Sequence, residues 1–141
     1  MYRVFSRADG GVAVMVFTAE GLVERDTQNF INANPGAFIV GDDVSLPSTR
    51  KFRNCWTGGT QAVVVDLPKA REQVLAEVRV QRDAALDVTD KELLRAQELG
   101  QDTRELLTKR QELRDLPVVV AADLAQITTP EELEAYVAPG L

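Results

Sequence analysis

The sequence contains no histidine and a single cysteine, Cys55, in 141 residues. Without imidazole, Ser-His triads and Cys-His dyads lose their usual base, and most zinc sites lose a ligand. A lone cysteine cannot close a disulfide within the chain, so the fold needs no oxidising compartment. No apolar run approaches the ~20 residues that a bilayer-spanning helix needs. The opening MYRVFSRADGG does not read as a signal peptide, because Arg7 and Asp9 break it before ~7 apolar residues accumulate. Basic charge is also scarce, with 16 Lys and Arg against 22 Asp and Glu and a net charge of −6. Phosphate contacts supply most nucleic-acid affinity, so neither nucleic acid nor membrane is expected as a partner. No Walker loop, Rossmann fingerprint or zinc pattern occurs, and no cofactor is expected.

What is present is unevenly distributed. Apolar residues make up 45% and charged residues 27%, values at which most of a chain folds. Tyr2, Phe5, Phe17, Phe30, Phe38, Phe52 and Trp56 lie in the first part, and only Tyr136 lies beyond. Aromatic side chains suit half-buried pleated surfaces. Acidic excess is concentrated in the second part. The expected fold class is therefore α+β. A small antiparallel β-rich module spans 1–66, followed over 67–141 by a helical arm, an antiparallel helical hairpin plus a short terminal helix.

Local signals support this division. Residues 2–6 and 12–17 read as strands around Asp9-Gly10-Gly11, a hairpin turn rather than a phosphate loop, because no helix start follows it. Residues 18–37 read as loop with one short helical turn capped by Thr27, and 37–41 as a third strand. Phe52, Asn54 and Trp56 alternate with Lys51, Arg53 and Cys55, as in a strand with one apolar and one solvated face. Gly58-Gly59 is expected to turn that strand into a second one over Gln61–Asp66, leaving Trp56 as a core anchor. Asp66-Leu67-Pro68 is a helix start.

From Lys69, Leu75, Val78, Arg82, Ala85 and Leu86 form a narrow stripe. Asp87-Val88-Thr89-Asp90 leaves two readings open, one long kinked helix to about Leu99 or two helices meeting there. Gly100 is a helix-stop residue. A second helix carries Leu106, Leu107, Arg110 and Leu113 and is expected to stop at Pro117. Residues 118–126 read as a strand or an extended lid, and Thr129-Pro130-Glu131-Glu132 starts a last helix.

Carboxylates are the remaining source of chemistry. Asp83, Asp87 and Asp90, or Glu131 and Glu132, could form an acid/base pair or hold a divalent cation, but no calcium-loop spacing is present. Helical carboxylates facing Lys and Arg more often make solvated or paired faces. Arg50, Lys51 and Arg53 around Phe52 and Trp56 could stack on bases, yet they lack a wider basic field. Cys55 has no histidine to activate it. The expectation is a protein without catalytic residues.

Trp56, VVVDLPKAR (63–71), QRDAAL (81–86), RQELRDLP (110–117) and TTPEELEA (128–135) together resemble small proteins encoded among phage and prophage tail genes. The C-terminal part is similar to the phage tail assembly chaperone family, in which an arginine-rich helix leads through an Asp-containing link to a YRQALRDLP-like helix end. KRQELRDLP (109–117) stands in that place. Val88 follows Asp87 where the family carries Trp, and Lys109 replaces its Tyr. The DGGVAV hairpin and the R-x-F-R-N-x-W segment ending at Trp56 resemble the N-terminal module of such proteins. The resemblance implies a chaperone-like assembly factor that binds a phage tail or tail-fibre protein non-covalently in the host cytoplasm during morphogenesis, with homo-oligomers as a further state. Its alternative is a structural virion component, an adaptor of baseplate or tail fibre. Arg53, Trp56, Arg79, Arg82, Asp83, Arg110, Arg114, Asp115 and Leu116 are the interaction candidates. Among them, Arg79, Arg82 and Asp83 are expected to meet Arg114 and Asp115 across the helical hairpin and set its register.

Overall fold

The computed structural model describes residues 1–60 and 62–141. They form two compact units, Met1–Leu67 and Pro68–Leu141. The architecture is α+β, with a three-stranded antiparallel sheet followed by helices.

In the first unit, β1 (Tyr2–Ser6) pairs with β2 (Val12–Val16) from Tyr2 opposite Val16 to Ser6 opposite Val12. The turn closes as Arg7 N–H donates to the Gly11 carbonyl at 2.8 Å and Gly10 N–H to that of Arg7 at 2.9 Å. Gly10 has φ of 80°, a conformation that a side chain would strain. β3 (Phe38–Asp42) pairs antiparallel with the other edge of β1, giving the order β2-β1-β3.

As the central strand, β1 is covered on both faces, and Val4 and Phe5 are fully buried on opposite sides of the pleat. The Phe5 ring packs 4.4 Å from Phe30 of α1 (Val23–Ala33). The loop expected over 18–37 is therefore mostly an 11-residue helix, preceded by a 3₁₀ turn at Glu20–Leu22. Thr27 does not cap it. Thr27 is buried within α1, and its hydroxyl accepts a 3.0 Å bond from Arg3. Burial of one face overrides the weak helix propensity of the two Asn residues.

Beneath the other face of β1 lie β4 (Trp56–Gly58) and β5 (Val63–Val65), an antiparallel pair with Trp56 opposite Val65. Val4, Val40, Trp56 and Val63 form the core there. The strand expected over 52–56 is shorter than its alternation implied, because Arg53–Cys55 is a 3₁₀ turn. That turn buries Phe52, Cys55 and Trp56 together and leaves Asn54 exposed, contrary to a period of two. Gly58 belongs to β4 rather than to the turn. A Cβ there would lie 3.1 Å from Val40 Cγ2 and 3.3 Å from Ser6 Cβ, so glycine permits the close approach of hairpin to sheet. Gln61, the expected start of the second strand of this hairpin, lies outside the described residues.

In the second unit, α2 (Leu67–Glu98) is one helix of 32 residues, about 48 Å long at 1.5 Å per residue. Asp87-Val88-Thr89-Asp90 does not interrupt it, since the polar side chains are satisfied along or across the helix. Asp87 pairs with Lys91 at 2.7 Å, the Thr89 hydroxyl donates to the Ala85 carbonyl at 2.8 Å, and Asp90 meets Arg110. The buried stripe is Ala70, Val74, Val78, Thr89, Leu93 and Ala96, so of the expected stripe Val78 alone is fully covered. At the C-terminus, Gln101 N–H donates to the Ala96 carbonyl and Gly100 N–H to that of Gln97. This is a Schellman stop, with Gly100 at φ of 66°.

α3 (Arg104–Gln126) returns antiparallel, since Asp90 meets Arg110 while Arg71 donates to the Ile127 carbonyl at 2.6 Å. Pro117 does not stop this helix, and 118–126 is neither strand nor lid. Leu113, Leu116, Val120 and Leu124 are buried at spacings of three and four, so the stripe continues through the proline. α4 (Pro130–Ala135) begins as expected, with the Thr129 hydroxyl accepting from Glu132 N–H at 3.3 Å.

Two stability measurements test these contacts. Arg3 grips Asp42 in a two-pronged bond, 2.6 and 2.9 Å, which joins β1 to β3. The bond from Arg3 holds the Asp42 carboxyl below the usual Asp range. Its contribution is thus present above the unfolded-state value and lost as pH falls through the lowered folded value. Asp42→Asn is expected to cost about 1 kcal/mol at pH 7, because the pair is partly solvent-screened. The gap to the natural sequence should close in acid, read from urea unfolding followed by Trp56 fluorescence. In α3, Pro117→Ala restores an N–H to the ladder and should raise stability by roughly 2 kcal/mol in unfolding followed by far-ultraviolet circular dichroism. Unchanged or lower stability would show that the helix does not bear a proline penalty.

Candidate protein-binding surface

α3 presents three faces, with Leu113 and Leu116 shared between the first and the third. Its inner face carries the buried stripe. A second face presents Leu107, Gln111, Arg114, Val118, Ala121 and Ala125, which follow one another at spacings of four and three and are all exposed. Val118 is 76% exposed and Leu107 46%. From Pro117 to Gln126, PVVVAADLAQ contains a single charge, Asp123. A helical stretch this rich in apolar residues is ordinarily buried on most of its surface. Here only Val120 and Leu124 are covered, while Val118, Val119, Ala121, Ala122 and Ala125 remain open to solvent.

The third face lines a groove of about 320 Å³. Leu113, Leu116 and Val119 supply its apolar lining, with Lys109, Glu112 and Asp115 also at its walls and Pro139-Gly140 on the C-terminal segment. That segment is fixed by buried Leu133 and Ala138 and by the Tyr136 hydroxyl, which donates to Asp123 at 2.9 Å. Burial, reinforced by Asp123, pushes the Tyr136 hydroxyl up to about 12, so it keeps its proton throughout the physiological range.

The interaction candidates are scattered over these features. Arg53 is exposed in the 3₁₀ turn of the first unit. Trp56 is 2% exposed under the Arg50 guanidinium, 5.6 Å from the ring centre, and serves as core. Its indole N–H has no hydrogen-bond partner among the described residues. Arg82 and Asp83 pair with each other at 2.6 Å on α2 instead of reaching α3. Asp115 accepts from its own-helix neighbour Gln111 at 3.0 and 3.1 Å. Arg79 is exposed on α2 and Arg114 on the open face of α3. The cross-hairpin pair is Arg110 with Asp90, 2.8 Å between Nε and Oδ1, although the N–H direction is off the hydrogen-bond line. Charge rather than hydrogen-bond geometry links those two. Leu116 is buried and lines the groove.

No family model, curated protein or solved structure matches this chain. Among the described residues, no three Cys, Asp or Glu side chains converge to hold a metal ion. Asp83, Asp87 and Asp90 each carry a separate cation partner. No helix among the described residues is long and apolar enough to cross a membrane.

Sequence reasoning missed Asp90 as the register partner and missed the open apolar end of α3. The signal for the second was present. Val120 and Leu124 continue the spacing of Leu113 and Leu116, while the Val-Val-Val run and Pro117 pointed toward a strand. Double-mutant cycles separate the two register schemes. Arg110 with Asp90 should show a coupling of about 0.2–1 kcal/mol, the range for exposed pairs, whereas Arg82 with Asp115 should be additive. The reverse pattern would restore the Arg82–Asp115 scheme.

Proposed function

We propose that this chain is a phage tail or tail-fibre assembly factor that acts by non-covalent protein binding during morphogenesis. The observation that carries the binding part of this reading is the C-terminal half of α3, apolar apart from Asp123 and Gln126, with Val118, Ala121 and Ala125 exposed. A surface of this kind loses free energy to water at roughly 25 cal/mol per Å², which burial against a partner recovers. The phage-tail part rests on the sequence resemblance around Trp56, 110–117 and 128–135. A non-catalytic mode of action fits the ion-paired carboxylates of α2.

Co-expression with the product of a neighbouring tail-fibre gene tests the reading. The natural chain is expected to co-purify with that product and raise its soluble yield. Val118→Asp, at a position 76% exposed, should leave the helical circular dichroism intact and lower co-purification at least ~10-fold, since a charge is buried unpaired. Co-purification unaffected by Val118→Asp would move the contact elsewhere, and none with the natural chain would end the reading. Mass spectrometry of purified particles separates an assembly factor, absent from them, from a baseplate or fibre adaptor, present at a symmetric copy number.

A further inference from the structure

The groove beside α3 has a composition that the open Val118 face does not share. Leu113, Leu116 and Val119 lie on successive turns, so their side chains form a continuous apolar lining on one flank of the helix. Glu112 and Asp115 stand on the same flank, and Lys109 is the one cation among the described lining residues. The groups that hold the neighbouring carboxylates are neutral. Asp115 takes the Gln111 amide, and Asp123, one turn beyond Val119, takes the Tyr136 hydroxyl. Neutral donors satisfy oxygen lone pairs without cancelling charge, so with Lys109 offsetting one carboxylate the lining keeps a small negative excess above an apolar base. The wall formed by Pro139-Gly140 is anchored through Tyr136 and Ala138. The groove volume, about 320 Å³, is at the small end of binding pockets and suits one or two side chains rather than a large cofactor.

We infer that this groove binds a protein segment with an aliphatic anchor flanked by Arg or Lys, the anchor seated on Leu113, Leu116 and Val119 and the cations on Glu112 and Asp115. The inference rests on reading the helical unit as a protein-binding part, and it assigns the chemistry of the segment bound. Apolar contact supplies the affinity, while the acidic rim selects against acidic segments and speeds encounter with basic ones.

The test uses the full chain and two short fluorescent peptides with the same paired-leucine anchor, one flanked by arginines and the other by glutamates. Anisotropy should show the arginine peptide binding at least ~10-fold more tightly, with affinity falling as salt is raised. Its binding should shift the backbone amide resonances of Val119 and Gly140. Glu112→Lys with Asp115→Lys should reverse the preference, whereas Glu98→Lys, a charge change at the end of α2, should not. Equal binding of both peptides, no binding of either, or a preference indifferent to the double substitution would overturn the inference. So would self-association abolished by Val119→Asp, which would assign the groove to a second copy of this chain. A failed peptide experiment beside intact co-purification of the tail product removes the groove assignment alone, while the converse removes the phage-tail reading alone.

Discussion

A proline inside a helix removes one ladder hydrogen bond and crowds the carbonyl four residues earlier, at a cost of about 3 kcal/mol. α3 contains such a proline at position 117 and continues for nine residues beyond it. Two of these residues, Val120 and Leu124, are almost wholly buried against the hairpin seam. Full burial of side chains of that size contributes roughly 1.5–3 kcal/mol each, enough to offset the proline. The open face and the groove of α3 both depend on that balance. If residues 118–126 left the helix, Val118 would lose its alignment with Leu107 and Arg114, and Val119 would lose its place beside Leu116.

The two units are built by different means. The first is organised about β1, where consecutive residues meet opposite demands. Phe5 seats α1, Val4 and Trp56 seat the β4–β5 hairpin, and Arg3 ties Asp42 and Thr27 along the rim. Such a strand has little freedom to slip, because a shift of one residue would exchange its faces. The helical unit has a thinner seam of Ala, Val, Thr and Leu, with register marked by Arg110–Asp90 and Arg71–Ile127. Its outer surface keeps apolar side chains that the seam does not use.

Much of this plan was legible where local chemistry and tertiary packing agree. Asp9-Gly10-Gly11 needs a positive φ and forms the hairpin, Gly100 closes α2 by the same logic, and Thr129-Pro130 starts α4. It was not legible where long-range packing overrides local preference. Val23, Thr27, Phe30 and Ile31 have helical spacing, but Gly21 and the Asn residues masked it until Phe5 and Arg3 supplied the missing contacts. The 3₁₀ turn at Arg53–Cys55 mimicked strand alternation over too few residues to be distinguished from it. Pairing of Arg110 with Asp90 rather than Arg82 with Asp115 depends on helix rotation, which spacing alone leaves undetermined. The groove needs a wall from Pro139-Gly140, about twenty residues from Val119 in sequence, a proximity that no local pattern announces.

The proposed binding surface is α3. Hydrogen–deuterium exchange of the full chain, alone and with the co-expressed tail-fibre product, reads this directly. Binding is expected to slow exchange in peptides covering residues 107–126 and to leave β1–β3 unchanged. Protection confined to the first unit, with α3 exchanging as in the free chain, would contradict it.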